Sequence, residues 1–368
     1  MKIGILTFHN AHNYGAILQA YALRTKLRNL GYDTHIVNYR NEKIEKSYER
    51  KLVPKKVQVS LFHPRTFLFN HQKQLEVKTA QPSWEKRCEV FRKFIDKVIL
   101  EDNIEVIDKR ELKNLGYDAF ICGSDQIWTD YLTGGLDNVY FLDFGVKVKK
   151  ISYAASKVNA TFSEEDKAFF KEKLRNFTAL SVREETLAKA LTDICQKEVK
   201  TVLDPALLLE KKDYEKIEAP IIENGEYVLA YFLVEDETLM QCAKWAADKL
   251  GMKLLEIHYY KQRLKNHNQI ADCDPGEFLS YIKRAKYIFT NSFHGTVFSI
   301  IYQKNFFAVY DKDARKDNLL ELLELENRHI KSLDELFALD DVEYTKANKL
   351  LREESMKSES FLVKALNS

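Results

Sequence analysis

The chain has 368 residues, 45% of them hydrophobic and 12% aromatic, so two cored domains are expected rather than one. Its 57 basic and 55 acidic residues leave a formal net charge of +2, which gives no reason to expect nucleic-acid binding. Five widely spaced cysteines form neither a disulfide framework nor a zinc motif, so a reducing cytoplasm is the expected compartment. The longest apolar run, residues 227–234, is too short to span a membrane.

The chain opens with a β-α-β pattern. Residues 2–8 predict a buried strand, residues 16–30 an amphipathic helix and residues 34–39 a second strand. This order predicts a parallel sheet that binds its ligand at the carboxyl ends of the strands. A dinucleotide fingerprint is absent, and His9 and His12 alone are weak evidence for a metal, so we predict neither a metal nor a redox cofactor.

Residues 40–80 differ in character from their surroundings. They contain ten Lys or Arg residues against four Glu, with an aromatic segment at 61–69. One interpretation is a solvated insertion. The other is peripheral contact with an anionic membrane surface, which basic charge beside exposed aromatic residues favours.

Polar residues follow several of the next predicted strands. The strand at 117–122 ends in a turn that contains Ser124, Asp125 and Gln126, and the strand at 179–182 ends at Arg183. Such residues lie at the ligand end of a parallel sheet. For Asp125 the alternative role is a turn cap, and for Arg183 it is pairing with a neighbouring Glu. The strand at 199–203 is ended by an Asp-Pro pair at 204–205.

A second α/β set follows a charged connection. The predicted organisation is a first domain at 1–209, a connection at 210–226, a second domain at 227–333 and a helical return segment at 334–368. The return segment carries a charged amphipathic helix that is expected to pack on the first domain. This pattern predicts a two-lobed enzyme whose site lies in the cleft.

The stretch 289–296 is the strongest local candidate for a site. A short apolar strand precedes it, a buried helix follows, and Ser292, His294, Gly295 and Thr296 form the turn between them. Free backbone amides at a helix N-terminus bind anions, glycine admits a ligand to the backbone, and an imidazole titrates near neutral pH. The alternative is an ordinary helix cap with a structural histidine.

Six sequence blocks together resemble the polysaccharide pyruvyl transferase family, and they occur in the family's order. The blocks are residues 13–23, 123–128, 151–156, 181–184, 202–205 and 290–296. The resemblance implies an α/β, GT-B-like architecture of two Rossmann-like domains that face a cleft. It also implies transfer of pyruvate from phosphoenolpyruvate to a sugar, as a ketal.

The resemblance identifies one arginine and one histidine of the family, and it leaves a choice between two residues at a third position. The family's arginine matches Arg183 and its histidine matches His294, whereas Arg315 and Lys316 both match a later basic position. Phosphoenolpyruvate is a trianion that needs fixed cations, and ketal formation needs a proton donor and acceptor. The expected donor-binding residues are Arg183, Ser292, Gly295, Thr296, Arg315 and Lys316, and the expected catalytic residues are His294 and Asp125.

The loops of the first domain remain for a glycan acceptor, free or lipid-linked. The expected acceptor residues are Asn13, Tyr14, Ser124 and Gln126, although an Asx turn is an alternative role for Asn13. Two other functions compete with pyruvyl transfer. One is a GT-B glycosyltransferase that uses a nucleotide sugar, and the other is a non-catalytic glycan- or lipid-binding protein.

Overall fold

The computed structural model describes residues 1–48, 64–101, 103–258, 268–336 and 338–368, with the backbone alone for 64–77. Strands and helices alternate along the chain and form two lobes, each built on parallel strands. The aromatic segment 61–69, on which the expected membrane contact depends, lies outside the residues whose side chains are described. None of the helices in the described ranges is both long and apolar enough to cross a membrane.

The first lobe is organised around strands whose residues are buried. Apolar side chains fill β1, β3 and β5, as expected for parallel strands covered on both faces. The elements of this half of the chain are β1 (Lys2–Leu6), α1 (Tyr14–Asn29), β2 (Asp33–Ile36), α2 (Glu42–Ser47), α3 (Pro64–Phe94), β3 (Ala119–Cys122), α4 (Asp130–Thr133), β4 (Lys149–Ser152), α5 (Glu164–Leu174), β5 (Leu180–Val182), α6 (Glu185–Cys195), β6 (Val199–Thr201) and α7 (Lys211–Tyr214).

The strand order of the first lobe reverses beside β1. Four strands pair in the order β2-β1-β3-β4, and the pair β5-β6 joins them through parallel bridges from Ile151 to Ala179 and from Ala155 to Val182. The crevice between the carboxyl ends of β1 and β3 is therefore a topological switch point, where open parallel sheets bind ligands. The loops 7–13 and 123–129 leave the sheet at this crevice.

The second lobe contains six parallel strands in the order β9-β8-β7-β10-β11-β12, the strand order of a Rossmann sheet. Its switch point lies between β7 and β10, and the turn at 291–292 leaves β10 there. The elements of this half are β7 (Tyr227–Tyr231), α8 (Glu237–Leu250), β8 (Lys253–Ile257), β9 (Asn268–Ile270), α9 (Pro275–Arg284), β10 (Ala285–Thr290), α10 (Phe293–Ile301), β11 (Asn305–Val309), α11 (Ala314–Leu322), β12 (His329–Ile330) and α12 (Thr345–Asn367).

The last helix, α12, returns to the first lobe as expected. The Ser358 hydroxyl accepts a hydrogen bond from the Leu203 amide at 3.0 Å, and the Lys149 ammonium donates to the Leu366 carbonyl at 2.6 Å. The Phe361 ring lies 6.3 Å from the Tyr153 ring. These contacts tie the end of the chain to the sheet of the first lobe, so the predicted two-lobed architecture with a returning helix is confirmed.

Two predicted boundaries near the site are wrong. The apolar run after the Ser-Phe-His-Gly turn predicts a helix that begins at Gly295, but the helix begins at Phe293 because Ser292 caps it. The charged residues 311–316 predict a loop, but Asp313 caps α11, which begins at Ala314. In both cases a side-chain oxygen that accepts a backbone N–H starts the helix earlier than hydrophobic periodicity indicates.

Candidate functional site

The switch points of the two lobes face each other across a cavity of about 210 Å³, here called the switch-point cavity. Loops that follow β1 and β3 line it from the first lobe, and the turn after β10 lines it from the second. Its polar lining residues are Asn13, Ser47, Asp125, Gln126, Asn291, Ser292, His294 and Arg315. The fold therefore brings half of the expected site residues to one crevice, namely Asn13, Asp125, Gln126, Ser292, His294 and Arg315.

His294 lies where the two lobes meet. It is 8% exposed, and its Nε2 atom lies 3.6 Å from Oδ2 of Asp204 in the first lobe. On the other side of the ring, a Cβ atom added to Gly15 of α1 would lie only 2.0 Å from Nδ1. Both ring nitrogens of this second-lobe residue thus face residues of the first lobe.

Asp204 is a residue of the candidate site to which the sequence assigned no role, because its Asp-Pro pair was interpreted as the end of a strand and as part of a family block. Its carboxylate is fully buried and accepts hydrogen bonds from Arg183 at 2.7 Å and the Ala206 amide at 3.0 Å, and Ser124 Oγ lies 3.2 Å from it. Burial disfavours the ionised form, but His294 and Arg183 outweigh it and lower the pKa of Asp204 below its usual range. Asp204 is therefore a fixed negative charge.

Arg183 is buried among three carboxylates. Besides Asp204, its guanidinium lies 3.7 Å from Asp125 and 3.6 Å from Glu184, and its central carbon lies 4.9 Å from the centre of the Phe293 ring. Burial opposes the charged form, but the carboxylates outweigh it and raise the pKa of Arg183. Within the described part of the chain, its Nε and one terminal nitrogen have no hydrogen-bond partner. These two nitrogens face Glu184 and Asp125 beyond hydrogen-bond distance.

Arg315 and Lys316 are adjacent in α11 but differ in what they reach. Arg315 is 28% exposed at its side chain, pairs with Asp313 at 2.8 Å and lines the switch-point cavity. The Lys316 ammonium is buried and donates to the Asn291 carbonyl at 2.6 Å. Burial lowers the pKa of Lys316, and Asp313 offsets this only in part. Of the two basic candidates, Arg315 is the one that faces the cavity.

Several polar groups of the turn that contains Ser292 form hydrogen bonds with each other. Ser292 Oγ accepts the Gly295 amide at 3.2 Å, and the Ser292 carbonyl accepts the Thr296 amide at 3.0 Å. A Cβ atom on Gly295 would lie 2.3 Å from Oγ1 of Thr290, so this glycine lets α10 pack on β10 rather than admitting a ligand. The expected donor contacts of Gly295 and Thr296 are corrected accordingly.

The expected acceptor residues divide into two groups. Asn13 caps α1 through its side chain and also lines the switch-point cavity. Gln126 lines the same cavity. Tyr14 and Ser124 are buried instead. The Tyr14 hydroxyl accepts from Arg87 at 2.8 Å, and Ser124 Oγ donates to the Ala154 carbonyl at 2.9 Å. Direct contact with an acceptor is therefore corrected for Tyr14 and Ser124, because protein atoms already occupy their polar groups.

A larger cavity of about 530 Å³, here called the outer cavity, adjoins the first. The two cavities share Phe293 and Arg315, and Arg183 lines the outer one together with Asp204. Its remaining lining residues are half apolar and half polar: Val202, Leu203, Leu207, Leu319 and Leu322, and Glu185, Thr201, Asn318, Glu321 and Glu354. Two connected cavities between the lobes leave space for two substrates.

The histidines near the start of the chain have protein partners. The His9 ring contacts the Thr7 carbonyl at 3.2 Å and the Asn38 side chain at 3.1 Å, and the His12 ring packs 4.9 Å from the Tyr48 ring. Burial, with Arg87 beside it, lowers the pKa of His12 to about 3. In the ranges that the structure covers, no three His, Cys, Asp or Glu side chains are arranged to hold a metal ion.

Solved structures share the fold over the whole chain. The UDP-GlcNAc 2-epimerase of Neisseria meningitidis, bound to UDP-GlcNAc, is 11% identical with a TM-score of 0.53, covering 100% of this chain and 99% of that one. The UDP-GlcNAc 2-epimerase of Methanocaldococcus jannaschii is 12% identical with a TM-score of 0.50 and the same coverage. At such identities the likeness shows a GT-B fold and nothing about the reaction.

Sequence comparison identifies the family. No curated protein sequence matches significantly. The family model for polysaccharide pyruvyl transferase matches residues 13–313, which include most of the residues that line the switch-point cavity, whereas Phe8, Ala11 and Arg315 lie just outside the match. The chain belongs to the polysaccharide pyruvyl transferase family.

Proposed function

We propose that this protein transfers pyruvate from phosphoenolpyruvate to a sugar of a polysaccharide or oligosaccharide and forms a pyruvate ketal. Family membership supports a transferase that acts on polysaccharide. The single observation that carries the proposal is the convergence of Arg183, Arg315 and His294 on connected cavities between the lobes. The two guanidinium groups can bind the anionic groups of this donor, and the imidazole can transfer the protons that the reaction requires.

The donor's charge accounts for the two arginines. Phosphoenolpyruvate carries a carboxylate and a phosphate, and a guanidinium binds either group through two parallel hydrogen bonds. Arg183 and Arg315 lie on opposite lobes, and the Phe293 ring lies 4.9 Å from the first and 5.9 Å from the second. A donor that bridged the two arginines would also hold the lobes together around the reaction.

The reaction needs proton transfer in both directions. A proton is added to C3 of the enol, and a sugar hydroxyl attacks C2 and loses its proton. Phosphate then leaves from C2, and a second hydroxyl attacks the same carbon and loses its proton. One hydroxyl proton balances the proton gained by C3, and the other leaves with phosphate. We assign these transfers to His294, with Asp125 as a second base on the acceptor side.

The acceptor is proposed to enter from the first lobe. Asn13 and Gln126 supply amide groups at the cavity wall, and Tyr48 and Leu132 add apolar surface. Amides bind sugar hydroxyls, and apolar side chains pack against the C–H faces of a sugar ring. That the acceptor is lipid-linked, and that the enzyme works at the cytoplasmic membrane face, stays a prediction.

The proposed activity is tested by a phosphate-release screen. Phosphoenolpyruvate is incubated with the protein and a panel of acceptors that contain galactose, mannose or N-acetylhexosamine. We expect phosphate to appear only when an acceptor is present, with a product heavier than the acceptor by one ketal-linked pyruvate in mass spectrometry. Turnover of a nucleotide sugar, with phosphoenolpyruvate inert across the panel, would instead support the glycosyltransferase.

The neighbours Arg315 and Lys316 provide a matched pair for testing donor binding. Arg315→Gln is expected to raise the KM for phosphoenolpyruvate about tenfold or more, because a hydrogen bond to a charged group contributes about 1.5–3 kcal/mol. Lys316→Gln is expected to lower the stability to urea and to change the donor KM less, since its ammonium holds the Asn291 carbonyl. Equal donor KM values for Arg315→Gln and the unmodified protein would remove Arg315 from the donor site.

A further inference from the structure

One carboxylate joins the two groups on which the proposed chemistry depends. Oδ2 of Asp204 accepts a hydrogen bond from Arg183 at 2.7 Å and lies 3.6 Å from Nε2 of His294. That Nε2 atom is buried and has no hydrogen-bond partner among the described residues. A buried imidazole nitrogen is costly to leave unpaired, and the nearest charged acceptor here is Asp204. A small approach of the lobes would bring the pair within hydrogen-bond distance.

We propose that Asp204 is the positioning residue of the site: it holds His294 with the proton on Nε2 and leaves Nδ1 to exchange protons with the substrates. The carboxylate accepts only, so an imidazole nitrogen that faces it must carry a hydrogen. The other nitrogen then has its lone pair on the side of Gly15. Gly15 has no side chain to cover this edge of the ring, and His294 lines the switch-point cavity, from which a substrate would reach Nδ1. The chemistry of this assignment rests on the proposed pyruvyl transfer.

The two partners come from different lobes. Asp204 follows β6 in the first lobe, and His294 begins α10 in the second. The histidine is therefore oriented only in an arrangement of the lobes that brings these elements together. Hydrogen bonds from Arg183 and the Ala206 amide fix the carboxylate from its own lobe, so the imidazole is the partner that adjusts. Approach of the lobes would thus complete the proton-transferring group.

A nuclear magnetic resonance experiment on the full chain tests the tautomer directly. Imidazole nitrogens are labelled with ¹⁵N, and the His294 signals are assigned by their loss in His294→Gln. In the unmodified protein we expect neutral His294 to carry its proton on Nε2, and Asp204→Asn to give a mixture of tautomers. Glu184→Gln is the matched control, because it removes another buried carboxylate beside Arg183 and is expected to leave the tautomer unchanged. A proton on Nδ1 in the unmodified protein overturns the proposal, even if no Asp204 variant folds.

Kinetics separate a positioning role from a structural one. Asp204→Asn is expected to lower kcat about 10²-fold, with a smaller change in the donor KM. If Asp204 acts through His294, then Asp204→Asn combined with His294→Ala has the kcat of His294→Ala alone, since residues that act as a unit are not additive. If the fold-losses in kcat of the two single variants multiply in the double variant, the proposal is contradicted. An absence of phosphate release by the unmodified protein would refute pyruvyl transfer, whereas the tautomer result would still test the contact.

Discussion

His294→Ala is expected to lower the turnover of phosphate release about 10²–10⁴-fold, the usual contribution of general acid–base catalysis. The loss should fall mainly on kcat, because donor binding is assigned to Arg183 and Arg315. The circular dichroism spectrum is expected to be unchanged. The substitution removes a ring beside an existing cavity, and it leaves the residues that cap helices in place. Initial rates at saturating phosphoenolpyruvate, measured with an acceptor found in the screen, give the comparison.

The control for this variant is a histidine far from the cavity. The His35 ring pairs with Asp33 at 2.7 Å at the edge of the first sheet, so His35→Gln is expected to leave turnover within about twofold. A loss below tenfold in His294→Ala would remove His294 from proton transfer. If the protein only bound a glycan without catalysis, then the unmodified protein and both variants would release no phosphate.

Gly15→Ala is expected to be as informative as the histidine substitution. Its new Cβ atom would lie 2.0 Å from Nδ1 and 2.2 Å from Cγ of His294, so the imidazole must move. Overpacking of this kind costs about 1–3 kcal/mol of unfolding free energy. Displacement of a catalytic group by about 1 Å costs about 10²-fold in rate. We therefore expect both a lower midpoint of urea unfolding and a loss of turnover of about two orders of magnitude.

A double-mutant cycle identifies the cause of that destabilisation. In a His294→Ala background the ring is absent and only the Cβ atom of residue 294 remains, 2.7 Å from the new Cβ atom, so Gly15→Ala should cost less unfolding free energy than in the unmodified protein. The coupling free energy between the two positions, from urea unfolding of the four proteins, is expected to be about 1–3 kcal/mol. Additive effects would show that Gly15 is required for a reason other than its contact with His294.

The elements near the site show how far local sequence patterns reach. Alternating apolar strands and helices predicted parallel sheets, and the polar turns after β3 and β10 were correctly expected at the ligand ends of those sheets. The precise start of α10 and of α11 was not predicted. Those starts depend on Ser292 and Asp313, whose side chains cap backbone amides. The displaced boundaries changed the roles of Gly295 and Lys316.

The sequence alone determined the fold class and the family, because both are carried by short blocks of neighbouring residues. It also proposed His294 and Arg183 as site residues. Only the tertiary structure decided that Arg315 rather than Lys316 faces the cavity, that Asp204 belongs to the site, and that Gly15 makes room for an imidazole of the other lobe. These facts concern distances between residues far apart in the chain. Such distances are determined by how two sheets pack across a cleft, which no local periodicity records.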